Sequence, residues 1–140
     1  RNIKIITNSC FIANYIRQYS SCQIILLGGY YQPNSEVTVG PLLKKMISLF
    51  HVNHVFVGTD GFNPDLGFMG KDMMRSEGVR YMADAAEEVV ILTDSSKFSK
   101  TSLVHQLSLA DVDRVITDQA LDKQTQDLLS ASGLVLDFVS

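Results

Sequence analysis

Val89-Val90-Ile91-Leu92-Thr93-Asp94-Ser95-Ser96-Lys97 is the stretch on which the reading of this chain turns. The first four residues are apolar without a break and rich in β-branched side chains. A strand with one wet face alternates apolar and polar residues, whereas a strand covered on both faces does not. Val89–Thr93 therefore predicts an interior strand of a parallel sheet. The run stops in Asp-Ser-Ser-Lys, four polar residues suited to a turn at the strand's C-terminal end.

The same rhythm extends in both directions. Upstream, Asp72 is placed to cap a helix running to about Glu88. Before it, Val52–Val57 reads as a strand closed by Gly58-Thr59-Asp60-Gly61, and Phe62–Gly70 reads as a loop rich in Gly, Asn and Pro. Nearer the start, Ile3–Thr7 is a strand and Cys10–Tyr19 a helix. Gln23–Leu27 is a second strand ending at Gly28-Gly29. Pro33-Asn34-Ser35 marks a turn, and Pro41–Phe50 is an amphipathic helix with its proline in the first turn. Downstream, Arg114–Thr117 is a strand ending at Asp118, Leu121–Ser132 a helix stopped by Gly133, and Leu134–Phe138 a last strand. Strands alternating with helices predict an α/β fold, a mostly parallel sheet with helices on both faces. No linker or repeat interrupts it, so residues 1–140 read as one domain.

Bulk properties exclude several classes. Hydrophobic residues make up 46% of the 140 residues and charged residues 19%, too apolar a balance for a disordered chain. No apolar run approaches the roughly 20 residues that span a bilayer, and no secretory signal precedes the first strand. Cys10 and Cys22 do not make a disulfide framework, which points to the cytoplasm. The net charge is −3 with basic residues dispersed. A domain that grips DNA carries a basic stripe for the phosphates, so this stretch is not expected to bind nucleic acid by itself.

Ligands of open α/β sheets bind beyond the C-terminal ends of the strands. The residues that fall there are Thr7-Asn8-Ser9, Gly28-Gly29, Asp60-Gly61, and Asp94 with Lys97. Taken singly they have ordinary explanations: a helix cap, a turn, an Asp-Gly bend, a solvated lysine. Together they suit a phosphorylated polyol. Hydroxyls and helix N-terminal N–H groups cradle a phosphate, Lys97 supplies a point charge, and Asp60 and Asp94 accept hydrogen bonds from sugar hydroxyls. Lys71 and Arg75, four apart at the start of the Asp72-capped helix, would add cationic character.

In order along the chain, Thr7-Asn8-Ser9, Leu26-Leu27-Gly28-Gly29, Val39-Gly40, Phe56-Val57-Gly58-Thr59-Asp60-Gly61, Gly67-Phe68, Leu92-Thr93-Asp94-Ser95-Ser96-Lys97-Phe98 and Arg114-Val115-Ile116-Thr117-Asp118 resemble the C-terminal sensor domain of DeoR-family transcription regulators. The resemblance implies a fold related to sugar-phosphate isomerases and CoA transferases. It also implies a domain that senses a phosphorylated sugar or similar metabolite and relays this to a winged helix-turn-helix. No cofactor is implied, and the expected form is a homo-oligomer. Family members carry the DNA-binding domain upstream, followed by a first βα unit with a phosphate-holding Ser/Gly-Thr-Thr loop. Neither precedes the first strand here, so the expectation is an N-terminally truncated effector-sensing domain that meets DNA only through the missing part. Arg75 stands where the family places a glutamate, and Glu77 lies two residues on.

The enzyme alternative is a sugar-phosphate isomerase, which needs a base to move a proton between adjacent carbons. Asp60, Asp65 and Asp94 are candidates, but the family-position glutamate is absent. A CoA transferase would need an acyl-accepting glutamate, for which there is no strong candidate. His51, His54 and His105 lack metal-ligand spacing with Cys10 or Cys22. Met69, Met73, Met74 and Met82 read as packing. Tyr30 and Tyr31 suit either the pocket or the surface.

Overall fold

A computed structural model describes residues 3–140; Arg1 and Asn2 lie outside the described residues. The described chain falls into two compact units, one ending at Phe50 and the other His51–Ser140.

In the first unit, β1 (Lys4–Thr7) and β2 (Gln23–Leu26) pair in parallel around α1 (Cys10–Tyr19). Ser9 caps α1, its Oγ accepting the Ile12 N–H at 3.1 Å. A hairpin follows, β3 (Tyr30–Gln32) and β4 (Val37–Val39), turning at the expected Pro33-Asn34-Ser35. Then comes α2 (Pro41–Ile47), which begins at its proline as expected and stops three residues short of Phe50.

The second unit is built on a four-stranded parallel sheet. Its strands are β5 (Val52–Val57), β8 (Ala86–Leu92), β10 (Arg114–Asp118) and β11 (Val135–Val139), in the order β11-β10-β8-β5. The α/β class with a mostly parallel sheet follows the sequence reading. Chain order and spatial order run in one direction across this sheet. Right-handed crossovers then bring the connecting helices α3 (Met73–Asp84) and α4 (Lys123–Ala131) onto one face. That face carries the core: Val57, Val89, Ile91, Val115 and Leu129 are buried there, with Val79 and Ala83 of α3 packed against them. The opposite face carries a row of charges, one from each strand. His54 pairs with Glu88 at 3.3 Å, Glu88 with Arg114 at 3.8 Å, and Arg114 with Asp137.

Two expectations are corrected. The helix capped by Asp72 ends at Asp84, and the following strand starts at Ala86. Helical periodicity runs on through Glu87 and Glu88 in the sequence, but Ala86 and Glu88 pair with Val52 and His54 of β5. The stretch read as a loop, Phe62–Gly70, contains the hairpin β6 (Gly61–Asn63) and β7 (Gly67–Gly70). β7 also pairs with β9 (Val104–Leu107), a strand the sequence reading passed over. Phe62 packs tilted and Phe68 edge-on against Phe98, with centroids 5.2 and 6.1 Å apart. Burial of those rings, which outweighs weak local strand propensity, fixes the hairpin. Among the described residues no helix is long and apolar enough to cross a membrane.

Candidate functional site

In the first unit the strand-end residues are drawn together by backbone bonds. The Leu27 N–H donates to Thr7 O at 2.8 Å, and Thr38 Oγ1 donates to Leu27 O at 2.9 Å. Asn8 Nδ2 donates to Thr38 O at 2.8 Å, and Thr7 Oγ1 accepts the Ser9 N–H at 3.1 Å. Thr7 and Ser9 are buried. Gly28 donates its N–H to Met46 Sδ, and a side chain at Gly29 would meet Val39 O at 2.9 Å. Thr7, Asn8, Ser9, Gly28 and Gly29 therefore form one cluster whose polar atoms largely fasten strand ends and a helix start. Each hydroxyl keeps a lone pair or proton for a further partner.

In the second unit the C-terminal ends of β5, β8 and β10 lie side by side, with Val57 opposite Ile91 and Ile91 opposite Val115. Past β5, Thr59 is buried, and its Oγ1 lies 2.9 Å from Gly61 O and 3.0 Å from Met69 O. Asp60 Oδ2 accepts the Lys71 N–H at 2.9 Å, tying this loop to the start of α3. Asp72 caps α3 through the Arg75 N–H at 2.8 Å, as expected. Neither Lys71 nor Arg75 forms an ion pair among the described residues. The helix dipole disfavours cations there, and the carboxylates of Asp60 and Asp72 lie at the same corner.

Past β8, Asp94 caps a short 3-10 turn, Ser95–Ser99. Its carboxylate takes hydrogen bonds from the Ser96 N–H and hydroxyl and pairs with Lys97 Nζ at 3.3 Å. The Ser96 hydroxyl, then Lys97, hold it below the usual carboxylate range. Asp94 and Lys97 thus engage each other. Past β10, Asp118 Oδ2 accepts the Ser95 N–H at 2.8 Å and Oδ1 the Ala120 N–H at 3.0 Å. These bonds, Ser95 foremost, lower its pKa. Asp118 therefore fastens the Asp94 turn as well as capping its own, a role that its place at a strand end did not reveal.

The two groups of the second unit meet at Gly61. The Phe62 N–H donates to Lys100 O at 2.8 Å, and a Cβ at Gly61 would lie 2.8 Å from that same oxygen. Asp60 and Gly61 are thereby brought against the turn that carries Asp94 and Lys97. A shallow cleft of about 270 Å³ lies elsewhere, lined by Arg80, Tyr81, Ala83, Asp84, Leu107 and Asp111 toward the far end of α3. None of the expected residues line it, and its chemistry is not that of the strand ends. No group of His, Cys, Asp and Glu among the described residues could hold a metal ion.

Residues 1–119 match the family described as the DeoR C terminal sensor domain. Among curated relatives, the L-fucose operon activator of Haemophilus influenzae is 29% identical over 122 residues, covering 87% of this chain and 49% of that protein. The HTH-type transcriptional regulator IolR of Bacillus subtilis is 29% identical over 127 residues, 89% of this chain and 49% of that protein. The glycerol-3-phosphate regulon repressor of Escherichia coli is 27% identical over 117 residues, 84% of this chain and 46% of that protein. The chain spans about half the length of these relatives.

Proposed function

From the premise that this chain belongs to the DeoR C-terminal sensor domain family, a family of ligand-sensing regulatory domains, we propose that it binds a phosphorylated sugar or a related phosphorylated metabolite. Binding is relayed to a winged helix-turn-helix that contacts DNA in the longer regulator. The observation that carries this is the corner where Asp60 meets the start of α3. A carboxylate suited to sugar hydroxyls sits there beside two cations, Lys71 and Arg75, that form no ion pair among the described residues. Names of relatives support the sugar class: one regulates an L-fucose operon, another a glycerol-3-phosphate regulon.

On this reading Lys97 contributes charge to the phosphate within the second unit, and in the first unit Thr7, Asn8, Ser9, Gly28 and Gly29 offer hydroxyls and close backbone approach to a ligand. The family match covers the first compact unit and extends to residue 119 of the second, which supports reading residues 1–140 as an effector-sensing domain. The chain works without turnover, in the cytoplasm, as a homo-oligomer.

A thermal-shift screen over sugar phosphates, each beside its free sugar, tests the proposal. A ligand at 100 times its Kd stabilises the fold by about 2.7 kcal/mol. Shifts with phosphorylated members alone are the expected result; equal shifts within every pair would overturn it.

A further inference from the structure

Gln106 stands out in the second unit as a side chain that folding alone does not explain. On β7, Phe68 pairs with Leu107 and Met69 with His105, which leaves Gln106 as the extra residue of a β-bulge in β9. Bulges re-aim side chains, and they concentrate beside functional sites. Here the Gln106 carboxamide reaches the C-terminal end of β5. Its Nε2 donates to Gly58 O at 3.1 Å, and the residue is 5% exposed. Its Oε1 is buried and has no hydrogen-bond partner among the described residues.

That arrangement is poor value for stability. One buried hydrogen bond gives a modest net gain, and a stranded buried acceptor costs at least as much. An apolar side chain of the same shape would lose that one bond and strand no side-chain acceptor.

Gly58 is the second anomaly, and it is the residue to which Gln106 bonds. Its φ is not in the left-handed region, and a Cβ there would make only ordinary contact, 3.8 Å from Leu92 O. The observed conformation does not require a glycine. A glycine is useful where a backbone must move or a ligand must come close. The next residues, Thr59 and Asp60, belong to the candidate site.

We propose that Gln106 is a specificity-determining residue of the effector site, its Oε1 accepting a hydrogen bond from an effector hydroxyl once the Gly58–Asp60 loop shifts to admit it. This rests on the proposed function and deepens it. The effector class is a phosphorylated polyol or sugar with a free hydroxyl at that place, distinguished from the corresponding deoxy compound. A site built to receive a hydroxyl rejects the analogue lacking it, because the buried acceptor is then left without a partner.

The test is calorimetric titration of the chain with glycerol 3-phosphate, D-glucose 6-phosphate, D-fructose 1-phosphate and D-fructose 1,6-bisphosphate. Monodeoxy forms of whichever probe binds are titrated next. Gln106→Met, close in shape and without the acceptor, is expected to fold like the parent. It should bind the responding probe about tenfold or more weakly and lose the parent's preference over one deoxy form. Gly58→Ala, for which there is room in the observed conformation, should also fold and bind at least severalfold more weakly. It decides the matter should Gln106→Met not fold. Parent-like affinity and selectivity in Gln106→Met, or in Gly58→Ala where that variant must decide, overturns this inference alone. Failure of the parent to bind any probe overturns the effector reading together with it.

Discussion

Lys97 Nζ lies 3.3 Å from Asp94 Oδ2, across the 3-10 turn that ends β8. Two residues that the sequence offers as separate ligand contacts are therefore each other's partner. A phosphate arriving at Lys97 competes with Asp94 for the same ammonium group. Lys97→Ala should lower effector affinity by about 1.5–3 kcal/mol, the worth of a hydrogen bond to a charged group. The turn is held by backbone bonds to Asp94 and Asp118, so the melting temperature should change little. Titration and melting of the same preparation separate the two effects. Unchanged affinity would make Lys97 a counter-ion to Asp94 and nothing more.

Asp118 predicts an acid limb to stability. Its carboxylate takes N–H bonds from Ser95 and Ala120, and its pKa in the fold lies below that of the unfolded chain. A group depressed on folding adds stability above its unfolded pKa of about 3.9, and loses it as pH falls through the lower folded value. Asp94 and Asp122 shift in the same direction. Urea midpoints should therefore fall from neutrality toward pH 3. Asp118→Asn should be less stable than the parent at pH 7 and show a shallower decline. A decline as steep as the parent's would assign the acid limb to other groups.

Gly67 should not tolerate a side chain. Its φ is +90°, and a Cβ would lie 2.5 Å from Leu107 O and 3.0 Å from Ser108 Cα, backbone atoms that cannot step aside. Gly67→Ala is expected to cost about 2 kcal/mol or more, combining left-handed strain with a backbone clash. Phe68, fully buried next to it, should cost about 3–5 kcal/mol when cut to alanine. Denaturant midpoints check both. A neutral Gly67→Ala would mean that the β6–β7 hairpin is not anchored on β9.

How much of this was legible in the sequence differs by element. Val89–Leu92 announced an interior strand because its burial is written in unbroken apolar residues. Ser9 and Asp72 announced helix starts because capping is local chemistry. The β6–β7 hairpin and β9 were not legible. Their strands run three or four residues, and what fixes them is the meeting of Phe62, Phe68 and Phe98 from distant parts of the chain. The site was legible as a set of strand ends but not as a network. Nothing in the sequence says that Asp94 pairs with Lys97, that Asp118 holds Ser95, or that a bulge turns Gln106 toward Gly58. A polar residue in a short strand such as Val104–Leu107 gives no signal of burial until its partners are known.

Lys71 and Arg75 lead to the last expectation, a preference for effectors with two anionic groups. Arg75 lies in the first turn of α3, with Lys71 just ahead of its cap. Each cation there is disfavoured by about 0.3–1 kcal/mol by the helix dipole, and no carboxylate among the described residues forms an ion pair with either. Of the three acids that could neutralise them, Asp65 and Glu77 form no ion pair with either among the described residues, while the Asp72 carboxylate caps the helix between them. An anionic group on the ligand would offset that cost, aided by the helix dipole at this end of α3. Competition between D-fructose 6-phosphate and D-fructose 1,6-bisphosphate should favour the bisphosphate on the parent. Arg75→Glu reverses the charge and suits the dipole, so it should melt no lower than the parent while the bisphosphate loses its advantage. If the ratio of the two affinities is the same in both proteins, the cations at the start of α3 are solvated and do not read the ligand.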